Sequence, residues 1–330
     1  MESVTESPSA GEDPTSNLNL LYIISELAIA VLAAGGNGLV CVAVLRTRQL
    51  RTVTNFFLVS LAVADVFVGL VAIPCAILTD QGLPRNQFLL CLFMLSSIIT
   101  FTQSSIFSLL AVAIERYVAI FNPLRYQAIM TPHNAIIIIV ITWVISLVIG
   151  LVPALGWNKG PPQSGLCLFV PIIDMSYMVY FNFFGCVLFP LLIMFAIYAR
   201  IFAQVRWQLR RIATERHGNA ENREGNKAMS KDVKTAISLF LVLFLFTVCW
   251  VPLHIINCLI LLCPICQIPL PILSTAIILS HANSAVNPIF YALRMRSFRQ
   301  AFVNILLGGR RSKKTQIFPT SGSSANRATN

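Results

Sequence analysis

Asn287-Pro288-Ile289-Phe290-Tyr291 closes the last of seven long apolar stretches in this chain. An Asn and a Pro are costly inside an apolar helix, because they compete with or remove backbone hydrogen bonds that lipid cannot replace. A helix that carries both and then runs into Arg294 and Arg296 has traded stability for a hinge. Working back along the chain, Cys249-Trp250-Val251-Pro252 interrupts the sixth stretch and Glu115-Arg116-Tyr117 closes the third. The fold class that follows is all-α membrane: a seven-transmembrane helix bundle with a short amphipathic surface helix after helix seven.

Composition supports this. The chain has 330 residues, 56% hydrophobic and 11% charged, against about 25% charged in a soluble domain. The excess apolar side chains must face lipid. A bilayer core takes about 20 apolar residues per helix, and spans fall near 20–45, 54–79, 89–121, 134–156, 175–203, 233–261 and 269–292. Residues 1–19 read as an extracellular disordered tail and 20–307 as the helical domain, with the amphipathic helix at 295–307. Residues 308–330, basic and then Ser/Thr-rich, read as a cytoplasmic disordered tail.

The net charge of +11 follows topology. All Lys and Arg except Arg85 and Lys159 lie after spans one, three, five and seven or at their ends, and the N-terminal tail holds Glu2, Glu6, Glu12 and Asp13 but no base. The positive-inside rule puts the N-terminus outside and the C-terminus in the cytoplasm. The charge therefore reports orientation and not nucleic-acid binding, for which no motif is present. The acidic N-terminus lacks the basic region of a cleavable signal, so the first helix is expected to insert itself. No Asn-x-Ser/Thr sequon occurs, so N-glycosylation is not expected.

Phe298, Phe302, Ile305 and Leu306 recur at helical spacing beside Arg299, which suggests a helix lying on the inner membrane surface; the alternative is an extension of helix seven. No Cys follows Cys266, which excludes a palmitoyl anchor on the tail. The absence of an internal repeat argues against inverted-repeat transporters, and few polar residues line the spans, against a channel. No nucleophile–base pair, metal cluster or phosphate loop points to an enzyme.

The Glu-Arg-Tyr, Cys-Trp-x-Pro and Asn-Pro-x-x-Tyr sequences together resemble the rhodopsin-like G-protein-coupled receptors, from about Glu26 to Phe302. The outside is oxidising, so a bridge from Cys91, at the start of helix three, to Cys167 in the second outer loop is expected; the resemblance implies the same pair. Cys263-Pro264-Ile265-Cys266 lacks the second pair that a metal knuckle needs and reads as a small loop disulfide, Cys263–Cys266. Ionisable residues inside spans are functional candidates. Glu26, Asp65, Glu115 and Arg116 stand out, with His254 and His281 as weaker cases. Asp65 sits mid-membrane, and Ser105, Asn283 and Asn287 can supply oxygens around it. In the resembled receptors this cluster holds a sodium ion; the alternative is a hydrogen-bonded polar core without one. No other cofactor is implied. Glu115 can pair locally with Arg116, and Asp232, opening helix six, can pair with it across the bundle. The resemblance implies that Tyr198 and Tyr291 meet near Arg116 in the active state. Tyr117 and Pro288 belong to the same switch motifs, and Pro190 and Pro252 supply bends in helices five and six.

Two ligand classes are argued against. The position where amine receptors carry Asp is Ile98, and the position where opsins carry the retinal Lys is His281. Several stretches instead resemble the adenosine receptors: Leu253-His254-Ile255-Ile256-Asn257-Cys258, Met178-Val179-Tyr180-Phe181-Asn182, Thr102-Gln103-Ser104-Ser105, Ser280-His281-Ala282-Asn283-Ser284 and Cys167-Leu168-Phe169. The resemblance implies a plasma-membrane receptor for adenosine that acts through a heterotrimeric G protein and changes cAMP. Its Ser/Thr-rich tail would be open to arrestin and a receptor kinase. An Asn amide offers the donor and acceptor that read the N6/N7 edge of adenine, a role for Asn257. Phe169 would stack on the purine. Thr102, Ser280 and His281 would meet the ribose, with Glu26 holding His281. Ile99, Met178, Leu253, His254 and Ile277 would form the walls, and Trp250 the floor. The lid departs from the pattern. Many adenosine receptors have a Glu after the stacking Phe, paired with a His in the third outer loop. Here the two positions are Val170 and Ile268, both apolar. A rhodopsin-like receptor for a related purine or another small ligand is the alternative.

Overall fold

The computed structural model describes residues 14–215, 223–263 and 265–307. Seven long helices cross it: α1 (Pro14–Arg46), α2 (Val53–Asp80), α3 (Phe88–Phe121), α4 (Pro132–Leu151), α5 (Tyr177–Leu188 continuing as Phe189–Glu215), α6 (Arg223–Leu262) and α7 (Leu270–Arg294). The amphipathic helix α8 (Arg296–Leu306) follows at once. The tail 308–330, with its Ser/Thr-rich segment, and the side chain of Asp232 lie outside the described part. The chain is helical from Pro14, ahead of the boundary expected at residue 20.

Six of the helices are long and apolar enough to span a bilayer by composition alone. The seventh, α7, is 25 residues long but more polar. Its buried face carries Ser280, His281, Asn283, Ser284 and Asn287, while Ile272, Ile289 and Leu293 are exposed. Only the lipid-facing side of a bundle helix has to be apolar, so α7 can pay its polar face inward. The outward faces elsewhere follow the same rule, as at Val31, Leu70, Phe93, Val144 and Leu192. Burial also ranks the helices. The most apolar stretch of α3 is 72% buried and that of α4 only 22%, so α3 is the central post and α4 leans on the rim.

Small residues and buried polar links set the helix spacing. Gly150 on α4 meets α3, where an added Cβ would lie 2.8 Å from the Thr100 backbone nitrogen. Gly69 packs α2 on α1, where a Cβ would lie 2.7 Å from the Ala30 carbonyl oxygen. Asn37 of α1 donates to the Ala33 and Ser284 carbonyls, at 2.9 and 2.8 Å, and so ties α1 to α7. The Trp143 indole donates to Ser60 Oγ at 3.0 Å, and Ser60 meets Ser108 at 3.1 Å, which joins α4, α2 and α3. Around these links lies a core that includes Phe57, Leu61, Ile106, Val112, Met194 and Phe246.

Two helices are wider than an α-helix. The turn Val68–Ala72 is π-helical, and Pro74 follows it; Tyr177–Leu188 is π-helical and Pro190 follows it. A proline lacks the donor for the turn before it and its ring pushes that turn open. Pro252 and Pro288 sit inside α6 and α7 as expected. Helix α4 ends at Leu151, short of the expected 156. Pro153 and the positive-φ Gly156 (124°) end it, although the apolar run continues through Ala154 and Leu155.

A candidate ligand cavity and its polar switch

One end of the bundle holds a cavity of about 340 Å³, lined by α3, α5, α6 and α7, by the ends of α1 and α2 and by the loop between α4 and α5. Cys91 of α3 and Cys167 are bonded, with Cα atoms 5.7 Å apart, which holds that loop over the opening. A short turn, Phe169–Ile172, follows and puts Phe169 and Val170 in the cavity wall. An antiparallel contact supports this turn. The Lys159 backbone N–H donates to the Ile172 carbonyl at 2.9 Å, and the Lys159 ammonium donates to the Val170 carbonyl at 3.0 Å. Just beyond it, Ser176 donates to Asp174, and the hydroxyl bond first of all holds the Asp174 carboxyl below its ordinary range. Cys263 and Cys266 are also bonded, in the loop before α7.

Eleven of the twelve residues expected to bind ligand line the cavity. Ile99 and Thr102 come from α3, Met178 from α5, and Trp250, Leu253, His254 and Asn257 from α6. Ile277, Ser280 and His281 come from α7, and Phe169 from the lid. The twelfth, Glu26, stands behind the wall with no solvent exposure and contacts His281 Nδ1 through Oε2 at 2.8 Å. The hydroxyls of Thr102 and Ser280 donate to carbonyls of their own helices, Thr102 to Ile98 and Ile99 and Ser280 to Ile277. Their lone pairs remain for a ligand donor. Both ring nitrogens of His254 are buried without a hydrogen-bond partner among the described residues, while the ring stacks on Phe183, centroids 4.5 Å apart. Val170 lines the cavity, and Ile268, which does not, is half-buried in the loop before α7.

Gln103 and Asn182, which no motif in the sequence marks with a role, form an amide pair in the wall. Asn182 donates to Gln103 Oε1 at 3.4 Å, and Gln103 donates to the Cys186 carbonyl at 2.7 Å. Amides within apolar spans were a usable signal for them. Tyr22, Asp80, Ile260 and Leu273 also line the cavity, and no local pattern marks them.

Below the cavity, Asp65 is completely buried. It accepts from Ser105 (3.2 Å), Ser284 (2.8 Å) and Asn287 (2.7 Å), which links α2, α3 and α7. Ser284 makes the contact expected of its neighbour Asn283, which is itself buried. At the far end of α3, Glu115 is completely buried and is hydrogen-bonded by Arg116, Thr54 and Tyr126. Arg116 also donates to Thr54. Burial and then the Glu115 carboxylate push the Tyr126 phenol above its ordinary value. Tyr117 stacks on Phe121 with centroids 4.5 Å apart. Tyr198 and Tyr291 are buried, and the Tyr291 hydroxyl has no partner among the described residues.

A seven-helix membrane bundle with a lidded cavity at one end and a polar lock at the other is the architecture of a transmembrane receptor. The family model described as 7 transmembrane receptor (rhodopsin family) matches residues 36–291. The human protein "Adenosine receptor A2a" is 46% identical over 300 residues, which cover 87% of this chain and 72% of that one. "Adenosine receptor A2b" of Gallus gallus is 45% identical over 312 residues, 88% of this chain and 89% of that one, and the Rattus norvegicus A2b is 46% identical over 305. The chain thus belongs to the rhodopsin-like seven-transmembrane receptors and, within them, to the adenosine receptor family, a family of receptors and not of enzymes.

Proposed function

We propose that this chain is a plasma-membrane receptor that binds adenosine in the cavity and signals through a heterotrimeric G protein to change cAMP. The observation that carries the reading is the convergence of Asn257, Phe169, His254 and His281 on one enclosed space. Its volume suits a single small molecule. The Asn257 amide reads the N6/N7 edge of adenine, Phe169 stacks on the ring, and the apolar walls exclude water. Ser280 and His281, the latter steadied by Glu26, meet the ribose hydroxyls, and Thr102 accepts from them.

The N-terminus lies outside and the C-terminus in the cytoplasm, as the distribution of Lys and Arg supports. Arg116 then lies at the inner face, where a G protein docks. Agonist favours a state in which α6 swings outward, and it does so only by the difference between its affinities for the two states. Arg116 leaves Glu115 in that state, and Asp232 pairs with it at rest. Tyr198 and Tyr291 move in beside it. The hard oxygens of Asp65, Ser105 and Ser284, with the amide carbonyls of Asn283 and Asn287, suit a sodium ion that favours the resting state. Helix α8 buries Phe298 and Phe302 and exposes Val303 and Leu306, a face fitted to the inner leaflet. The Ser/Thr-rich tail serves a receptor kinase and arrestin. Measuring cAMP in cells that express the chain and are challenged with adenosine tests the reading. A concentration-dependent rise or fall absent from mock-transfected cells is expected; none in either direction, at confirmed surface expression, contradicts it.

A further inference from the structure

The cavity extends past the residues that a nucleoside would use. It reaches toward the outer ends of α1, α2 and α7, where Tyr22, Ala76, Thr79, Asp80 and Leu273 complete its wall. Asp80 is the last residue of α2 and is exposed. Its carboxylate takes one long hydrogen bond, 3.3 Å from the Gln81 side-chain nitrogen. Among the described residues it has no ion pair: the pairs present are Arg116–Glu115 and His281–Glu26. The Thr79 hydroxyl does not serve it either, since it donates to the Ala76 carbonyl at 3.1 Å.

A second carboxylate stands behind the same wall. Glu26 lies one turn after Tyr22 on α1 and is completely buried. One oxygen holds His281; the other, Oε1, is buried without a hydrogen-bond partner among the described residues. The rest of the wall here is apolar or neutral, so Asp80 is the one carboxylate in the cavity lining, and among the described residues no Lys or Arg pairs with it. A carboxylate beside low-dielectric walls binds an ammonium more strongly than one in bulk water, through a charge-assisted hydrogen bond.

We propose that this branch is a subsite for a protonated amine carried on a purine ligand, with Asp80 as its counter-ion. The inference rests on the purine reading of the main cavity and adds a charge preference to it. Asp80 is open to water, so screening limits the gain to about fivefold in affinity.

The test uses the full-length receptor in cell membranes and a series of purine nucleosides with alkyl chains of graded length. Each chain ends either in a primary amine or in the uncharged acetamide of that amine. Affinities are read by displacement of a labelled purine ligand. On the wild type, at the chain length that spans the branch, the amine should bind about fivefold more tightly than its acetamide. In Asp80→Asn that ratio should fall to about one, since the isosteric amide keeps the shape and loses the charge. The same amine-to-acetamide ratio in both proteins at every chain length would overturn the subsite. A wild-type receptor that binds no nucleoside of the series, adenosine included, would overturn the purine reading and the subsite with it.

Discussion

Three side chains converge on the buried carboxylate of Glu115: the hydroxyls of Thr54 and Tyr126 and the guanidinium of Arg116. Tyr126 belongs to the short helix Pro123–Ile129 in the connection from α3 to α4, so this hydrogen bond joins that connection to α3. Removing one donor from a buried charge costs about 1.5–3 kcal/mol, and the state that keeps Arg116 on Glu115 bears the cost. Tyr126→Phe should therefore raise signalling in the absence of agonist, by severalfold at matched surface expression. Agonist-free nucleotide exchange on the coupled G protein measures it, and an unchanged basal rate would show that the bond does not hold the resting state. At this scale much was legible. Glu115 and Arg116 stand out as charges at a span end, and the wall residues as a set of matching stretches. The choice between Asn283 and Ser284 was not legible, because the two are adjacent on α7 and only their rotation about the helix axis decides which one meets Asp65, here Ser284.

Helices were easier to read than their ends. Apolar runs of the right length give their existence, but not where α4 stops or where α2 and α5 widen. Those features depend on Pro153, Pro74 and Pro190, whose effect falls on the turn beside them and leaves mean hydropathy untouched. The close approach of α4 to α3 is equally invisible in sequence, since it needs Gly150 to face Thr100 and one sequence does not show which glycines face a partner helix. Gly150→Val should force the two helices apart and cost about 1–3 kcal/mol, as overpacking does. Gly185→Ala is the control, because an added Cβ there meets nothing within 4 Å. Thermal denaturation of the detergent-solubilised receptor should show a clear loss for the first variant and little change for the second. Equal stability of the two would refute the close-packing account of Gly150.

At the scale of the molecule, Asp65 is the point where α2, α3 and α7 meet, between the ligand cavity and the Glu115 lock. A cation held there in the resting state opposes any ligand that favours the active one, and the coupling is reciprocal. Sodium should therefore weaken agonist binding severalfold between none and physiological concentration and leave antagonist binding much less affected. Asp65→Asn should abolish that sensitivity. Agonist binding that is flat across the sodium range in the wild type would mean that the cluster is a structural polar core.

The central claim is that the outer cavity reads adenine through Asn257, and adenosine binding to the wild type and to Asn257→Ala, at confirmed surface expression, tests it most directly. Loss of a two-point polar contact in a desolvated pocket should cost about 2–4 kcal/mol, which is about 30- to 1000-fold in affinity. Measurable adenosine binding to the wild type that falls by that factor in the variant is the predicted result. A variant that binds adenosine within about threefold of the wild type, or a wild type that does not bind it at all, would contradict the claim.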